Sequence, residues 1–446
     1  MPSRPASERP PEVGLPRVVQ TARFMARPIQ FFERHRRELG ETFRVRLLFG
    51  PGEFVFVSDP GSLKLLFAAD RVNTIAPGRN VVLGPLLGPE SLLLQKDAGH
   101  LRARRLMLPS FHGERMRAYE STIREVSERA LGGWPIGPTF RAMPRMQAIT
   151  LEVILRAVFG VQDAGLRDAL RDGLLAILAE TASPAAIGAT IAGLRRLPRY
   201  RRFARLVERS DALLAAEIAE RRRDPDLAGR EDILSLLVAA RFEDGSQMSD
   251  AELRDQLMTL LLAGHETTAT GLAWTFDLLI HHPTTLARLT AELADGDRTY
   301  LEAVITESLR LRPVVPMTGR LLHEPARLGG YELDPGTVVM AAIGLVHTRA
   351  DLHEDPYAFR PERFLADGAP ETYSWIPFGG GTRRCIGAAF ARMEMRVAIE
   401  TILRSVELRA ADPELERPVR RNVTISPANG TRVIASPRAD GRLTGG

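Results

Sequence analysis

Hydrophobic residues follow two different spacings along this chain. Apolar side chains alternate with arginines at Phe43, Val45 and Leu47, a Gly-Pro-Gly turn follows, and a second apolar run covers residues 54–57. That pattern predicts a β-hairpin. From about residue 114 to 311, apolar residues recur every three or four positions, which predicts a succession of helices. The chain is therefore predicted to be mainly α with a smaller β-rich region.

One predicted helix is unusually long. Ser249 and Glu252 form a capping-box pattern, and the apolar spacing then continues to His282, where Pro283 ends it. A helix of that length spans ~50 Å at 1.5 Å per residue, enough to cross a whole domain.

The remaining elements are shorter. We expect a helix at 60–70, an irregular loop at 72–90, strands within 331–339 and 423–425, and a helix at 388–403. Residues 182–194, which are small and apolar, interrupt the helical region as either a loosely packed connection or a mobile lid over an apolar pocket. We expect flexible tails at 1–14 and 436–446 around a single domain at 15–435.

Composition narrows the chemistry. The chain has 446 residues, of which 44% are hydrophobic and 26% charged, so it can bury a large core. Its one cysteine, Cys385, excludes an intrachain disulfide, a four-thiolate zinc site and an iron–sulfur cluster. A buried inert thiol, a nucleophile or a single axial metal ligand remain.

Charge points to neither nucleic acid nor membrane. The net charge is +5, and Lys64 and Lys96 are the only lysines, so arginine dominates the basic residues. The chain lacks a basic tail and the aromatic–basic stripe that binding to single strands needs, so we expect no nucleic-acid partner. It also lacks an apolar stretch of ~18 residues and a secretory signal, so we expect a cytoplasmic protein without a membrane anchor.

The strongest chemical signal surrounds the cysteine. The segment 378–387 reads Phe-Gly-Gly-Gly-Thr-Arg-Arg-Cys-Ile-Gly, and a helix is predicted directly after it. Glycines let backbone N–H groups approach a sulfur, and a helix start together with Arg383 and Arg384 favours a thiolate. A dinucleotide fingerprint needs glycine at 384, and the Gly-Lys-Ser/Thr of a P-loop is absent. This environment favours Cys385 as a metal ligand over an inert thiol.

A second signal lies in the middle of the long helix, where residues 263–268 read Ala-Gly-His-Glu-Thr-Thr. Glu266 and the threonines interrupt an apolar helix, so they form either a proton relay beside a pocket or a solvated polar stripe. A zinc His-Glu-x-x-His motif is excluded because position 269 is Ala. We expect His265 to be either a satisfied helix histidine or a residue of the pocket.

Three further patterns are weak alone. Glu307 and Arg310 form an i,i+3 ion pair, and 359–364 reads Phe-Arg-Pro-Glu-Arg-Phe. His100 and Arg104 share one helical face, where two cations repel each other unless the face is solvated or an anion lies between them.

In combination these motifs resemble the cytochrome P450 superfamily of haem-thiolate monooxygenases, in its soluble bacterial form, over roughly residues 20–430. The Phe-Gly-x-Gly-x-Arg-x-Cys-x-Gly pattern of the family is complete at 378–387. The resemblance implies haem b (iron protoporphyrin IX) between the long central helix and the cysteine loop. It also implies insertion of one oxygen atom from O2 into a small apolar substrate, by hydroxylation or epoxidation. A fatty acid, a terpenoid, a steroid or a polyketide would fit.

The resemblance assigns roles residue by residue. Cys385 would be the axial thiolate, Thr267 the distal hydroxyl that acts on bound dioxygen, and Glu266 its acid partner. The haem would be further bounded or held by Phe378, Gly387, Ala263 and Gly264, and its propionates by His100, Arg104, Arg320 and Arg383. An ion network behind it would comprise Glu307, Arg310 and Arg363. Substrate contacts would come from Val81, Leu86, Leu262, Val315 and Met317.

The resemblance also concerns partners. Electrons would come from a separate ferredoxin or flavodoxin with its reductase, because the chain leaves no room for a reductase domain and no cysteines for an iron–sulfur centre. Arg102, Arg105 and Arg384 could form a basic docking face, and the protein would be a monomer. Two other classes stay open: a haem-thiolate isomerase or dehydratase, which would lack the Glu266–Thr267 pair, and a non-catalytic haem-binding protein.

Overall fold

A computed structural model of the chain describes residues 9–71, 74–75, 84–113, 115–161, 163–181, 198–365, 372–421 and 423–438. Helices dominate it, as the apolar spacing predicts. In chain order they are α1 Arg17–Ala26, α2 Pro28–Leu39, α3 Pro60–Ala68, α4 Asp97–Met107, α5 Arg115–Leu131, α6 Ala142–Ala157, α7 Ala164–Thr181, α8 Pro198–Arg221, α9 Ile233–Ala239, α10 Asp250–Ile280, α11 Pro283–Ala294, α12 Thr299–Leu311, α13 Ile343–His347 and α14 Ala388–Ser405.

The strands form a smaller β region. They are β1 Thr42–Arg46, β2 Glu53–Val57, β3 Thr74–Ile75, β4 Thr139–Arg141, β5 Thr318–Leu321, β6 Ala326–Leu328, β7 Tyr331–Leu333, β8 Val338–Ala341, β9 Val406–Ala410, β10 Pro418–Arg421, β11 Thr424–Pro427 and β12 Arg432–Pro437. The largest sheet among the described residues has the order β1-β2-β8-β5-β3, with β2 and β8 parallel and the other pairs antiparallel. Separate small sheets are β4-β12-β9, β10-β11 and β6-β7.

The predicted N-terminal hairpin is confirmed, with Phe43 opposite Phe56 in the β1–β2 register. The predicted tail boundary at residue 14 is wrong. Val13 is buried and donates its N–H to the carbonyl of Arg44, and Glu12 forms a parallel β-bridge with Arg44. The segment around Val13 therefore covers the edge of β1. At the other end β12 continues to residue 437, past the predicted boundary at 435.

The long helix α10 begins and ends close to the prediction. Ser249 and Glu252 form both hydrogen bonds of the capping box, and the helix runs for 31 residues, ~46 Å at 1.5 Å per residue. It packs against α6, α12 and α14, so most of its side chains are buried. Residues on both sides of its middle, such as Leu261 and Ala269, belong to the main apolar core.

Two other predictions needed changes. The run 331–339 divides into β7 and β8 of different sheets, because Asp334-Pro335-Gly336 makes a turn between them. The predicted loop 72–90 includes strand β3, paired with β5, and helical residues 84–87. The segment 182–194 lies outside the described residues, so neither of its two interpretations is decided.

Candidate active site

The cysteine loop is built by a short hydrogen-bonded turn before α14. The N–H of Cys385 donates to the carbonyl of Phe378 at 2.9 Å, and the N–H of Gly379 donates to that of Ile376 at 2.9 Å. The ring of Phe378 packs edge-on against Trp375. These contacts fix the loop and place Cys385 two residues before the helix cap at Gly387.

The glycines of this loop are needed by the protein itself. A Cβ on Gly380 would lie 2.5 Å from the ring of Phe67, and one on Gly381 would lie 2.6 Å from the Phe67 carbonyl oxygen. Gly381 also has a φ of 69°, which an L side chain rarely adopts. The sequence interpretation, that glycines bring backbone close to the ligand, is therefore incomplete. Part of the loop is pressed against α3, whereas a Cβ at Gly387 would meet open space.

The expected low pKa of the thiol is not observed. Burial raises the pKa of Cys385, and this outweighs the opposite effects of the Gly387 N–H, Arg104 and Arg384. The residue as a whole is nevertheless exposed, so part of its surface is accessible. A thiol of raised pKa is a poor nucleophile at neutral pH, but a metal cation deprotonates a coordinating thiol outright. The site therefore fits a metal ligand better than a catalytic nucleophile.

The middle of α10 presents a hydroxyl and an acid on different faces. Thr267 donates its hydroxyl to the carbonyl of Ala263 at 2.5 Å, and Ala263 is exposed. Glu266 turns away and accepts a hydrogen bond from Gln147 of α6 at 2.7 Å, with Arg421 3.9 Å from its other oxygen. Burial raises the pKa of Glu266, and Gln147 and Arg421 reduce that effect. The predicted acid–hydroxyl pair is present, but the two side chains do not hydrogen-bond to each other.

Gly264 and His265 make contacts that the sequence did not predict. A Cβ on Gly264 would lie 2.5 Å from Cδ1 of Ile154, so this glycine lets α10 pack closely on α6. His265 is only half satisfied. Its Nδ1 lies 3.0 Å from the hydroxyl of Thr150, and its buried Nε2 has no partner among the described residues. Desolvation lowers the pKa of His265 to about 4, so the ring is neutral.

An apolar cavity lies between α6, α7 and α10. Its lining consists of aliphatic or thioether side chains with His265 as the polar member: Leu86, Leu151, Leu174, Ile177, Leu178, Met258, Leu261, Leu262 and His265. Two predicted substrate contacts, Leu86 and Leu262, lie here. Val315 and Met317 do not line it, and Met317 packs on the core beside the five-stranded sheet. Val81 lies outside the described residues.

Two of the four predicted propionate ligands, His100 and Arg383, line a cleft of about 410 Å³ together with Asp70. Burial, and the positive charges of Arg383, Arg104 and Arg320, lower the pKa of His100 to about 4. His100 and Arg104 make no side-chain hydrogen bond to the part of the chain that the structure describes, whereas Arg320 donates to Asp70 at 2.6 Å. The side-chain donors of His100 and Arg104, beside the positive charge of Arg383, suit a further anion.

Sequence reasoning missed Asp70. Its carboxylate accepts from Arg320, from the Arg383 N–H at 3.3 Å and from the Thr382 hydroxyl at 3.4 Å. It therefore ties the end of α3 to both β5 and the cysteine loop. Nothing in the pattern marks it, because its partners are distant in sequence.

The predicted ion network is assembled. Arg310 donates to both oxygens of Glu307, at 2.7 and 2.9 Å, and Arg363 donates to the same carboxylate at 3.1 Å. Glu307 and Arg310 are fully buried. Arg310 also holds the carbonyls of His347 and Pro356, so the network joins α12, α13 and the segment that precedes the cysteine loop.

The predicted basic docking face is partly neutralised. Arg102 pairs with Asp244 at 3.2 Å and Arg105 with Glu243 at 3.2 Å, because the 243–246 turn lies beside α4. Arg384 remains exposed. Two of the three arginines are therefore paired within the protein.

Glu394 of α14 was also missed. It is fully buried, and neither oxygen has a well-formed hydrogen bond with the described residues. Burial raises its pKa well above 4.5, and the nearby Thr268 hydroxyl offsets this in part. The sequence held a signal, since Phe390, Glu394 and Val397 lie on one apolar helical stripe where an acid is out of place.

Comparison with known proteins decides the family. The family model "Cytochrome P450" matches residues 10–431. The chain belongs to the cytochrome P450 family. The P450 is 42% identical over 432 residues to "Putative cytochrome P450 135B1" of Mycobacterium tuberculosis, which covers 95% of this chain and 90% of that protein. It is 40% identical to "Putative cytochrome P450 137" of the same species, with coverage of 86% and 81%.

Solved structures agree on the fold. The P450 superposes with a TM-score of 0.81 on a structure described as "Retinoic acid bound cyanobacterial CYP120A1", at 25% identity and covering 96% and 99% of the two chains. The "cytochrome P450DA heme domain" gives a TM-score of 0.84 at 24% identity, covering 96% and 97%. No described helix is long and apolar enough to cross a membrane.

Membership of this family makes the P450 a haem-dependent monooxygenase. The site residues fit that cofactor. Cys385 would hold the iron, and His100, Arg104, Arg320 and Arg383 would hold the propionates; His100 and Arg383 line the cleft, and the charges of Arg104 and Arg320 act on His100. The open space beside Gly387 and the exposed Ala263 fit a flat ring system between α10 and the cysteine loop.

Proposed function

We propose that this P450 binds haem b and uses electrons from a separate ferredoxin or flavodoxin to insert one oxygen atom from O2 into a small apolar substrate. The observation that carries the proposal is the pairing of Cys385, in its glycine loop, with a Glu266–Thr267 step in the middle of α10. An isomerase or a simple haem carrier needs no proton supply of this kind.

Bound through Cys385, haem supplies oxygen activation, which an electron-donating thiolate promotes. The protein's part is to hold the group and to move protons. Glu266 can carry a proton because burial raises its pKa, and its side chain is still 21% exposed and so can exchange with solvent. Gln147 and Arg421 hold the carboxylate in this position. Thr267 supplies the hydroxyl nearest the proposed oxygen site, and this hydroxyl donates to the Ala263 carbonyl.

The substrate is proposed from the cavity. Leu86 and aliphatic or thioether side chains of three helices make the lining apolar, and His265 offers one polar contact. Thr150 approaches the carbonyls of Gln147 and His265, which only accept, so its contact with Nδ1 is best made by an Nδ1–H donor. Nε2 is then an acceptor. We therefore favour an apolar molecule with a hydroxyl or another donor; the retinoic acid of the CYP120A1 structure is also largely apolar.

The experiment is a turnover assay on the haem-loaded protein. Fatty acids, terpenes, steroids and macrolides are first screened by their spectral shift. The best ligands are then incubated with a surrogate ferredoxin, its reductase, NADPH and oxygen. Product that depends on both reductant and O2 supports the proposal. Product without reductant would favour the isomerase, and a bound ligand that is never converted would favour a haem carrier.

A further inference from the structure

Helix α1 buries one polar residue beside Phe24 and exposes several apolar residues. In α1 a polar residue, Gln20, is fully buried, and its amide bonds two backbone carbonyls and one backbone N–H of neighbouring segments. Large apolar residues face outwards instead: Val18 is 64% exposed and Met25 is 49% exposed. Because Gln20 is satisfied, this orientation is a stable packing of the helix.

The outward apolar residues form one surface. Val18, Ala22 and Met25 follow the i, i+4, i+7 spacing of a single helical face. Beside them, the tip of the β1–β2 hairpin exposes Leu48 to 58% and Phe49 to 41%. We call these five residues the α1 patch.

The hairpin tip is fixed to the helix. The Leu48 N–H donates to the hydroxyl of Thr21 at 3.0 Å, and the rings of Phe49 and Phe24 lie 5.9 Å apart. Arg17 also donates to the Leu47 carbonyl at 2.7 Å. The patch is therefore a preformed surface that needs no ordering when it binds.

The charge around the patch has one sign. Arg17, Arg23 and Arg27 are exposed, and none forms an ion pair with a carboxylate among the described residues. No Asp or Glu occurs from residue 13 to residue 32. The acids that flank this stretch in the sequence are Glu12 and Glu33, and Glu12 is paired with the arginines of β1, as is Glu53 of the hairpin.

We propose that the α1 patch docks this P450 peripherally on an anionic lipid bilayer. An apolar face beside basic residues is the pattern of a helix that lies in the membrane interface, with its apolar side chains at the acyl boundary and its arginines at the headgroups. A helix face and a hairpin tip project from the protein, whereas a peptide partner would need a groove. The contact is at the surface and involves no membrane-spanning segment.

Vesicle co-sedimentation of the haem-loaded protein tests this. Wild-type protein should sediment with vesicles of phosphatidylglycerol and phosphatidylcholine at low salt, and much less with phosphatidylcholine alone or at high salt. Arg23→Gln and Arg27→Gln should each weaken partitioning about fivefold, the fold-change for about 1 kcal/mol per basic residue at an anionic surface. Phe49→Asp should abolish most of it.

Ile136→Asp is the matched control, because Ile136 is 40% exposed and lies outside the patch. It should bind like wild type. Phe49→Trp gives a second readout that keeps the patch apolar: its emission should shift to the blue with anionic vesicles, and that of Ile136→Trp should not. Equal binding by Phe49→Asp and Ile136→Asp would overturn the proposal. So would equal binding to neutral vesicles, or a dimer without lipid that Phe49→Asp dissociates.

Discussion

Arg310→Met should destabilise this P450 strongly without changing its surface. The guanidinium is fully buried, and it donates to both Glu307 oxygens and to the carbonyls of His347 and Pro356. Methionine fills much of the volume but leaves Glu307 with fewer donors and two carbonyls with none from this side chain. Removing one partner of a buried pair costs about 3–5 kcal/mol, so we expect that loss in the free energy of unfolding.

Urea unfolding followed by circular dichroism measures the loss by linear extrapolation. Arg34→Met is the control, since its i,i+4 bond to Glu38 is exposed and should be worth about 0.3–0.5 kcal/mol. The double variant Glu307→Gln/Arg310→Met should lose less than the two single losses together, because no lone buried charge remains. If Arg310→Met fell within about 1 kcal/mol of Arg34→Met, the reasoning about this network would be refuted.

Three more outcomes are expected. Thr267→Ala should divert electrons from product to peroxide. Thr270→Ala should not, because the Thr270 hydroxyl bonds a backbone carbonyl on a buried face. Equal ratios of product formed to electrons consumed in the two variants would contradict the proton role of Thr267. Gly381→Ala should lower the free energy of unfolding by about 1–3 kcal/mol through overpacking and backbone strain. Gly387→Ala should leave the haem-free fold as stable as wild type, and denaturant unfolding of both variants compares them. Glu394→Gln should become more stable than wild type by a growing margin as pH rises above 4.5. In wild type the buried native acid stays protonated where the unfolded acid ionises, so wild type alone loses stability there. A difference in the free energy of unfolding that stayed constant from about pH 5 to pH 8 would refute the buried protonated acid.

Much of the fold followed from spacing and local chemistry. The capping box at Ser249 and Glu252 set the start of α10, and alternation at Phe43, Val45 and Leu47 set the hairpin, because both patterns act between residues close in sequence. The cysteine loop was recognisable for the same reason.

What the sequence did not predict depends on partners far along the chain. A side chain at position 264 would clash with Ile154, and Asp70 binds Arg320, which lies 250 positions away in the sequence. The raised pKa of Cys385 is another such case, since local cues favour thiolate while burial by distant segments opposes it. The exposed apolar residues of α1 also escaped prediction, because local spacing does not show which face of a helix the rest of the chain covers.

The central claim is that Cys385 is the axial ligand of a bound haem. The reduced carbon monoxide adduct of the purified holoprotein tests it directly, because thiolate ligation gives a long-wavelength absorption band. Wild type should show that band, and Cys385→His should lose it while haem is still bound. A Cys385→His variant that kept the band, or a wild-type protein that bound haem without it, would contradict the account.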